Sequence, residues 1–234
     1  MASSFPNRRA PGVQTGPDFA FRHILRSGEP IVAPGYVIVD GSNSRDPLNT
    51  GDVDTLRAGL VLGQVSANEL YAPSFLGVST VAYDASATVK TALTVSAATA
   101  TEIVRRIGSS GTFKLIGPPA AAGTVATQTV TFSAVNTTTG VVTVTAIAAD
   151  AIAGSFIADT DGSEAPLALL LDECGVKVVD YDSNDIDVPV QAIVGGMVDS
   201  SQIVNWPSDT SLQTWLKGQL NTNGRFVFDD AFVD

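Results

Sequence analysis

Side chains that could perform catalysis are scarce in this chain. His23 is the single histidine and Cys174 the single cysteine. Ser-His-Asp, Cys-His and histidine-based metal sites all need a histidine held in place by the fold. His23 instead stands in a segment rich in proline and glycine, where we expect a solvated side chain. Cys174 lies beside two acids rather than the basic groups that activate a thiol, so we expect a core or near-core cysteine.

Two groups of acids could bind a cation. Asp159-Thr-Asp-Gly-Ser-Glu164 begins like a calcium loop, but it lacks the further ligands and the distant bidentate glutamate. A turn between strands is therefore the favoured interpretation. The acids Asp180, Asp182, Asp185 and Asp187 alternate along what we expect to be an exposed loop, and weak cation binding there stays open. We predict no metal site and no cofactor.

Sequence motifs of the common enzyme classes are missing. The chain has no P-loop, dinucleotide-binding glycine pattern, zinc-ligand spacing or nucleophile elbow. A glycoside hydrolase needs two carboxylates facing each other across a cleft, and residues 89–155 offer only Glu102 and Asp150. We therefore predict a protein that is not an enzyme.

Charge is distributed unevenly along the chain, whose formal net charge is −11. Residues 1–158 hold ten acids and ten bases, whereas residues 159–234 hold fourteen acids and three bases. A nucleic-acid-binding protein usually carries a concentrated basic patch, and the basic residues cluster only in the first thirty positions. We expect no direct contact with nucleic acid. The acidic end serves either solubility or a basic partner.

No segment indicates a membrane protein. No run reaches the roughly 18 to 20 apolar residues that a membrane-spanning helix needs. The start, Met1 to Arg9, has no apolar region of the kind found in signal peptides. We expect synthesis in the cytoplasm and no membrane partner.

Residues 1–57 are predicted to form an extended N-terminal arm. Six prolines interrupt them, and each proline removes a backbone donor and fixes φ. The run Tyr36–Asp40 is the one strand predicted within this arm. Along the whole arm, aromatic and apolar side chains alternate with arginines, and these side chains could bind a partner. The candidate binding residues are Phe5, Arg8, Arg9, Phe19, Phe21, Arg22, Ile24 and Tyr36.

The remaining chain is predicted to be mostly β, in an α+β arrangement with two parts. One part comprises residues 58–88 and 156–234, where short strands alternate with turn residues, a pattern typical of a small β-barrel or β-sandwich. Within it we predict a strand over 188–194 that is broken at Gly195–Gly196, and a helix over 210–220. Residues 89–155 are predicted to form an inserted, outward-facing domain, a helix followed by a β-meander. Ser96 is its predicted N-cap, and Gly140 supplies the positive φ of its hairpin loop.

Four segments in order resemble the head decoration proteins of tailed bacteriophages, the lambda-type capsid-stabilising or cement family. They are Arg57-Ala-Gly-Leu-Val-Leu-Gly-Gln-Val65, Leu70-Tyr-Ala-Pro73, Asp161-Gly-Ser-Glu-Ala-Pro-Leu-Ala-Leu-Leu-Leu171 and Val188-Pro-Val-Gln-Ala-Ile-Val-Gly-Gly-Met-Val198. The chain departs from the family pattern in its length, its long arm and the inserted unit at 89–155.

The resemblance implies a structural virion protein on the outer surface of a phage capsid. Such a protein binds as a homotrimer at three-fold and quasi-three-fold positions and clamps neighbouring major capsid protein subunits. The family's N-terminal segment adds a strand to a capsid-protein sheet, which is reasonable for residues 1–40. Deleting residues 1–40 should then weaken capsid binding and leave the trimer intact, and deleting residues 89–155 should spare both.

An adhesive accessory protein of the virion is the alternative function. The unit at 89–155 would then face outward and bind host-surface carbohydrate. Its threonine-rich strands permit this role, but neither Trp206 nor Trp215 lies within it, and carbohydrate-binding platforms usually carry aromatic rings.

Overall fold

The computed structural model describes residues 25–32, 36–49, 51–86, 91–145, 147–172 and 174–228, with the backbone alone considered at 25–32. This part of the chain is mostly β, as predicted, and has two α-helices, α1 (Ala97–Arg106) and α2 (Thr210–Gly224). The strands are β1 (Leu25–Val32), β2 (Val37–Val39), β3 (Thr55–Leu56), β4 (Val61–Gln64), β5 (Tyr71–Pro73), β6 (Gly77–Val78), β7 (Ala92–Thr94), β8 (Gly111–Gly117), β9 (Ala126–Asn136), β10 (Val141–Val144), β11 (Phe156–Ala158), β12 (Ala168–Leu170), β13 (Val176–Lys177), β14 (Val188–Val190), β15 (Ala192–Val198) and β16 (Phe226–Phe228).

The first sheet has eight strands, seven of them in the order β1-β15-β12-β4-β5-β2-β14. The strand β15 also pairs with β16, in parallel, at Gly196 to Val198. Short apolar strands make this sheet: β12 is fully buried, and β4 is buried up to its last residue. A run of buried apolar side chains on adjacent strands is typical of a sheet covered on both faces.

The second sheet has six strands in the order β6-β11-β8-β9-β10-β7. The N–H of Thr80 donates to the carbonyl of Thr94 at 2.9 Å, and Ser79 pairs with Val95. These contacts join the segment after β6 to the segment around β7, so the sheet curls round until its two ends meet. Because β6 and β11 belong to it, this unit extends beyond residues 89–155 on both sides.

The helix α1 packs against this curled sheet. Ser96 is its N-cap, as predicted, and its hydroxyl accepts from the N–H of Thr99 at 3.0 Å. Ile103 is fully buried in the core that the sheet encloses, together with side chains from β7 to β11. The hairpin between β9 and β10 closes where predicted, with Gly140 at φ +71°.

A shared apolar core holds the two sheets together. Ile116 of β8 and Phe156 of β11 lie in the same cluster as Leu169 and Ile193 of the first sheet. The helix α2 covers this cluster with Leu212, Leu216 and Leu220, which are buried. The ring of Phe156 stacks on Phe75 with centroids 4.1 Å apart. The curled sheet is therefore packed on the body and is not connected to it by linkers alone.

Three sequence-based predictions need correction. The strand β15 continues through Gly195 and Gly196, and the break falls before it, at Gln191; partners on both sides hold this stretch extended. Cys174 is exposed, since it lies in the turn that Gly175 closes with a 3.0 Å hydrogen bond to the Asp172 carbonyl. Residues 36–57 pack into the body, because β2 pairs with β5 and β14.

Candidate functional site

The segments that carry the family resemblance form adjacent strands. Residues 57–65 supply β4, and residues 70–73 supply β5, which pairs with β4. The segment 161–171 supplies β12, on the other side of β4. The segment 188–198 supplies β14 and β15, and β15 is the next strand beyond β12. Pieces separated by up to about 120 residues therefore meet in one continuous sheet, centred on β4.

The turn at Asp161-Gly-Ser-Glu164 leads from β11 toward β12. The Oδ1 of Asp161 accepts from the N–H and the hydroxyl of Ser163, at 3.0 and 2.6 Å. The turn lies directly over Gly63 of β4: a Cβ at that position would come 1.9 Å from the Ser163 carbonyl oxygen. Only glycine allows this approach, which explains the glycine in that strand.

Arg106, at the end of α1, is buried against this turn, with its side chain 1% exposed. Its Nη2 lies 3.0 Å from Asp161 Oδ2, and its Nε lies 3.1 Å from Asp159 Oδ2. Its Nη1 donates to the carbonyl of Pro73 in β5 at 2.8 Å. The Nε contact is an ion pair without hydrogen-bond alignment. One buried guanidinium thus joins the curled sheet to the first sheet.

The two carboxyl groups that Arg106 contacts titrate differently. Burial raises the pKa of Asp159 above its ordinary value, and the charge of Arg106 offsets this only in part. Burial also acts on Asp161, but the Arg106 charge and the hydrogen bonds from Ser163 outweigh it and lower the pKa. The pKa values of the two carboxyl groups are therefore shifted in opposite directions.

The remaining acid of the turn is also engaged within the protein. Glu164 forms an ion pair with Lys114 of β8, and its Oε2 accepts from the N–H of Gly162 at 2.7 Å. The predicted turn between strands is confirmed, and Asp159, Asp161 and Glu164 all face protein donors. No group of three or more potential metal ligands exists among the described residues.

The acids that precede β14 do not converge on a common point. Asp180 accepts from the N–H groups of Asp182 and Asn184, at 2.9 and 2.8 Å. Asp185 forms an ion pair with Arg45, and Asp187 accepts from the N–H of Gly41 at 3.0 Å. These contacts fold the loop and tie it to the segment that follows β2, so the alternating acids have partners within the protein.

Exposed apolar side chains collect beside the same loop. Ile38 of β2 is paired with Pro189 of β14, so the two side chains share the outer face of the sheet. Tyr36 lies two residues before Ile38 and is on that face as well. Ile186 and Tyr181, in the loop that precedes β14, are exposed as well. We name these residues the β2–β14 strip: Tyr36, Ile38, Tyr181, Ile186 and Pro189.

Of the eight residues predicted to bind a partner, only Tyr36 falls in the described part of the chain, and its side chain is exposed. Seven lie outside the described residues, as does His23: Phe5, Arg8, Arg9, Phe19, Phe21, Arg22 and Ile24. The rest of the strip was missed by sequence reasoning. The signal for it was the proline in Val188-Pro-Val190, which places that strand at a sheet edge.

The two acids considered for glycoside hydrolysis have other roles. Glu102 is buried and accepts from Nε of Arg105 at 2.8 Å, and Asp150 accepts from the N–H of Ala85 at 2.7 Å. A shallow groove on the curled sheet is lined by residues 128–131, Thr145, Ile147 and Ala148. Its lining has no aromatic ring and no acid.

Among the described residues, no helix has the length and apolar character needed to cross a membrane. No family model, curated protein or solved structure matches the chain.

Proposed function

We propose that this protein is a structural component of a tailed-phage head. In this role it binds the outer surface of the expanded capsid as a homotrimer, at three-fold and quasi-three-fold positions, and clamps neighbouring major capsid protein subunits. The observation that carries the proposal is the adjacency of the four resembling segments, which lie side by side from β15 to β5. A chance likeness of short segments would not be expected to produce neighbours in one sheet.

The proposed arm precedes β1 in the sequence and carries seven of the predicted binding residues: Phe5, Arg8, Arg9, Phe19, Phe21, Arg22 and Ile24. The eighth, Tyr36, follows β1 and belongs to the folded body. Residues 1–26 carry four arginines and one acid, so the arm is basic whereas the rest of the chain is acidic. In the proposal, the arm contributes backbone hydrogen bonds and aromatic contacts on the capsid. Many trimers on one shell make individually weak contacts strong in combination.

A carbohydrate-binding adhesin is the second candidate. The groove on the curled sheet would be its site, and its threonines and Gln128 could hydrogen-bond sugar hydroxyls. The lack of an aromatic platform among the lining residues makes this the weaker proposal.

Mass in solution is the first test, measured by light scattering behind a sizing column. A mass of three times 24.1 kDa supports the homotrimer. The second test is cosedimentation with expanded shells assembled from the major capsid protein encoded by the same genome. Absence of binding to such shells, at concentrations where the chain is folded and trimeric, would refute the capsid role.

A further inference from the structure

We propose that residues 229–234, here called the acidic tail, bind the basic N-terminal arm of the same chain and shield it until the arm meets the capsid. The observation behind this inference is that the arm and the tail leave the folded body at one place. The role of the shield rests on the proposed function, whereas the contact itself is a property of the free protein.

The strand β15 is paired on both sides at its C-terminal end. Leu25 of β1 pairs with Val198 from one side, and Phe228 of β16 pairs with the same residue from the other side. Leu25 and Phe228 are therefore two strand spacings apart, about 10 Å.

The directions of these strands send the arm and the tail past the same edge of the sheet. The strand β1 is antiparallel to β15, and β16 is parallel to it. The residues before Leu25 and those after Phe228 therefore both depart beyond Val198. The chain of β15 itself leaves the sheet there, because a short 3₁₀ turn (Ser200–Gln202) follows.

Described contacts fix the point at which the acidic tail begins. The ring of Phe228 lies 6.1 Å from the ring of Trp206, measured between centroids. The Nζ of Lys217 lies 5.8 Å from the centroid of the Phe228 ring. Lys217 thus places a positive charge beside the same exit, which favours acids at this position.

The arm and the tail have opposite charges. Residues 1–24 hold three arginines and one acid, whereas residues 229–234 hold three aspartates and no base. Both segments also carry aromatic side chains, which are Phe5, Phe19 and Phe21 in the arm and Phe232 in the tail. The two segments are therefore complementary in charge and share an apolar component.

The nearest opposite charges are within reach of each other. Arg22 stands three residues before Leu25, and Asp229 and Asp230 directly follow Phe228. Chain length keeps the Cα atoms of Arg22 and Asp230 within about 11 Å and 7 Å of these two anchors. Contact between them needs no long excursion of either segment.

The expected strength of the contact suits a reversible shield. Exposed ion pairs are individually weak, but attachment to one body raises the effective concentration of one segment at the other to about the millimolar range. Such a contact holds the arm in the free protein. It yields to a capsid that also offers the arm backbone hydrogen bonds.

Limited digestion of the full chain with trypsin tests the contact, because trypsin cleaves after arginine and mass spectrometry follows the cut after Arg22. Asp229→Asn combined with Asp230→Asn removes two charges and keeps the length of the tail. The matched control is Glu69→Gln combined with Asp182→Asn, two exposed acids in the loops before β5 and β14. We expect the tail variant to be cut after Arg22 about fivefold faster than the wild type, and the control to match the wild type. Raising the salt concentration should remove the protection in the wild type.

Cross-linking tests whether the two segments belong to one chain. In an Arg22→Lys variant, a carbodiimide can join residue 22 to an aspartate of the tail. We expect a cross-linked peptide from material at monomer mass on a denaturing gel, absent when Asp229 and Asp230 are replaced by asparagine. The same cross-link at dimer mass would assign the tail to the arm of a neighbouring copy and overturn the inference.

Shell binding separates this inference from the proposed function. If the wild type does not cosediment with expanded shells, the proposed function fails, and trypsin still decides the contact. If the tail variant is cut after Arg22 no faster than the control, the inference is wrong while the function stands. With both correct, the tail variant should bind shells about fivefold more tightly, because no contact within the chain competes for the arm. Faster cutting without tighter binding would show that the contact does not shield the arm.

Discussion

Arg106 Nη2 lies 3.0 Å from Asp161 Oδ2, across the boundary between the two sheets. The helix that carries Arg106 packs in the core of the curled sheet, whereas the turn that carries Asp161 lies on β4 of the first sheet. The pair therefore fixes how one sheet sits on the other. Asp161 belongs to the Asp161-Gly-Ser turn, which is part of one of the segments that carry the family resemblance. That segment therefore has a structural partner, Arg106, in the unit predicted to be inserted.

Replacing Arg106 by methionine should destabilise the protein by about 3–5 kcal/mol, because Asp159 and Asp161 would stay buried without their cation. Lys177→Met is the control, because Lys177 is exposed and its replacement leaves no buried carboxylate behind. We expect the smaller loss for this variant. Urea unfolding measures both. Equal losses for the two variants would contradict the assignment of Arg106 as the central contact.

Deleting residues 89–155 should prevent the body from folding. The sequence favoured an insertion that can be removed, but the deletion takes away Arg106 and also Ile116, which lies in the shared core. The remaining Phe156 would lose its neighbours on β8. Circular dichroism and the mass of the soluble fraction test this expectation. A deletion protein that is folded and cooperative would show that the body is independent after all.

Local signals predicted the local structures well. The cap at Ser96, the glycine at 140 and the alternating threonines of β9 each depend on residues a few positions apart. The helix α2 was predicted as 210–220 and extends to Gly224, because its C-terminal boundary is set by the backbone conformation of the next residue. Arg225 adopts a left-handed φ of 59° and ends the helix.

Long-range pairings were not predictable in the same way. In the sequence, β11 is only a short apolar stretch. Its position in the second sheet is known only from its pairing with β6 and β8. The pairing of β2 with β14 joins residues about 150 positions apart, so the arm was predicted too long and the strip was missed. Arg106 gave no signal in the sequence, since its role depends on a turn more than fifty residues away.

Gly63→Ala should cost about 3 kcal/mol or more, because the new Cβ would overlap the backbone of the turn above it. The overlap involves the carbonyl oxygens of Ser163 and Ala165, at 1.9 and 2.7 Å, neither of which can rotate away. Gly218→Ala in α2 is the control: nothing lies within 4 Å of its Cβ, and alanine should stabilise the helix by about 1 kcal/mol. Thermal unfolding of both variants should show shifts of opposite sign. A neutral Gly63 variant would mean that the turn does not rest on β4.

Asp40 should make stability fall on the acid side. Burial would raise its pKa, but hydrogen bonds from Ser42, Asn68 and Asn43 outweigh burial and lower the pKa below 3.8. A carboxyl group with a lowered folded-state pKa stabilises the fold above its ordinary pKa and loses that contribution as the pH falls through the folded-state value. Asp40→Asn should therefore lower stability at pH 7 and flatten the decline below about pH 4. Unfolding by urea between pH 7 and 2 provides the measurement. If stability declined equally steeply at low pH in the variant and the wild type, Asp40 would be excluded as a cause of that decline.

The boundary of the arm determines which truncation tests its function. Deleting residues 1–40 removes β1 and β2, and with them the strand that joins β5 to β14. It also removes Asp40, whose carboxylate accepts from Asn68 at 2.9 Å. We expect this chain to misfold, so a loss of capsid binding would carry no information about the arm.

Deleting residues 1–24 leaves every described strand in place and removes seven of the eight predicted arm residues. We expect the wild-type unfolding transition and trimer mass, with weaker binding to expanded shells because only the body contacts remain. Light scattering, urea unfolding and cosedimentation on the same preparation measure the three properties. Undiminished shell binding would show that residues 1–24 contribute nothing to capsid affinity, whereas a lower mass would assign them to contacts within the trimer.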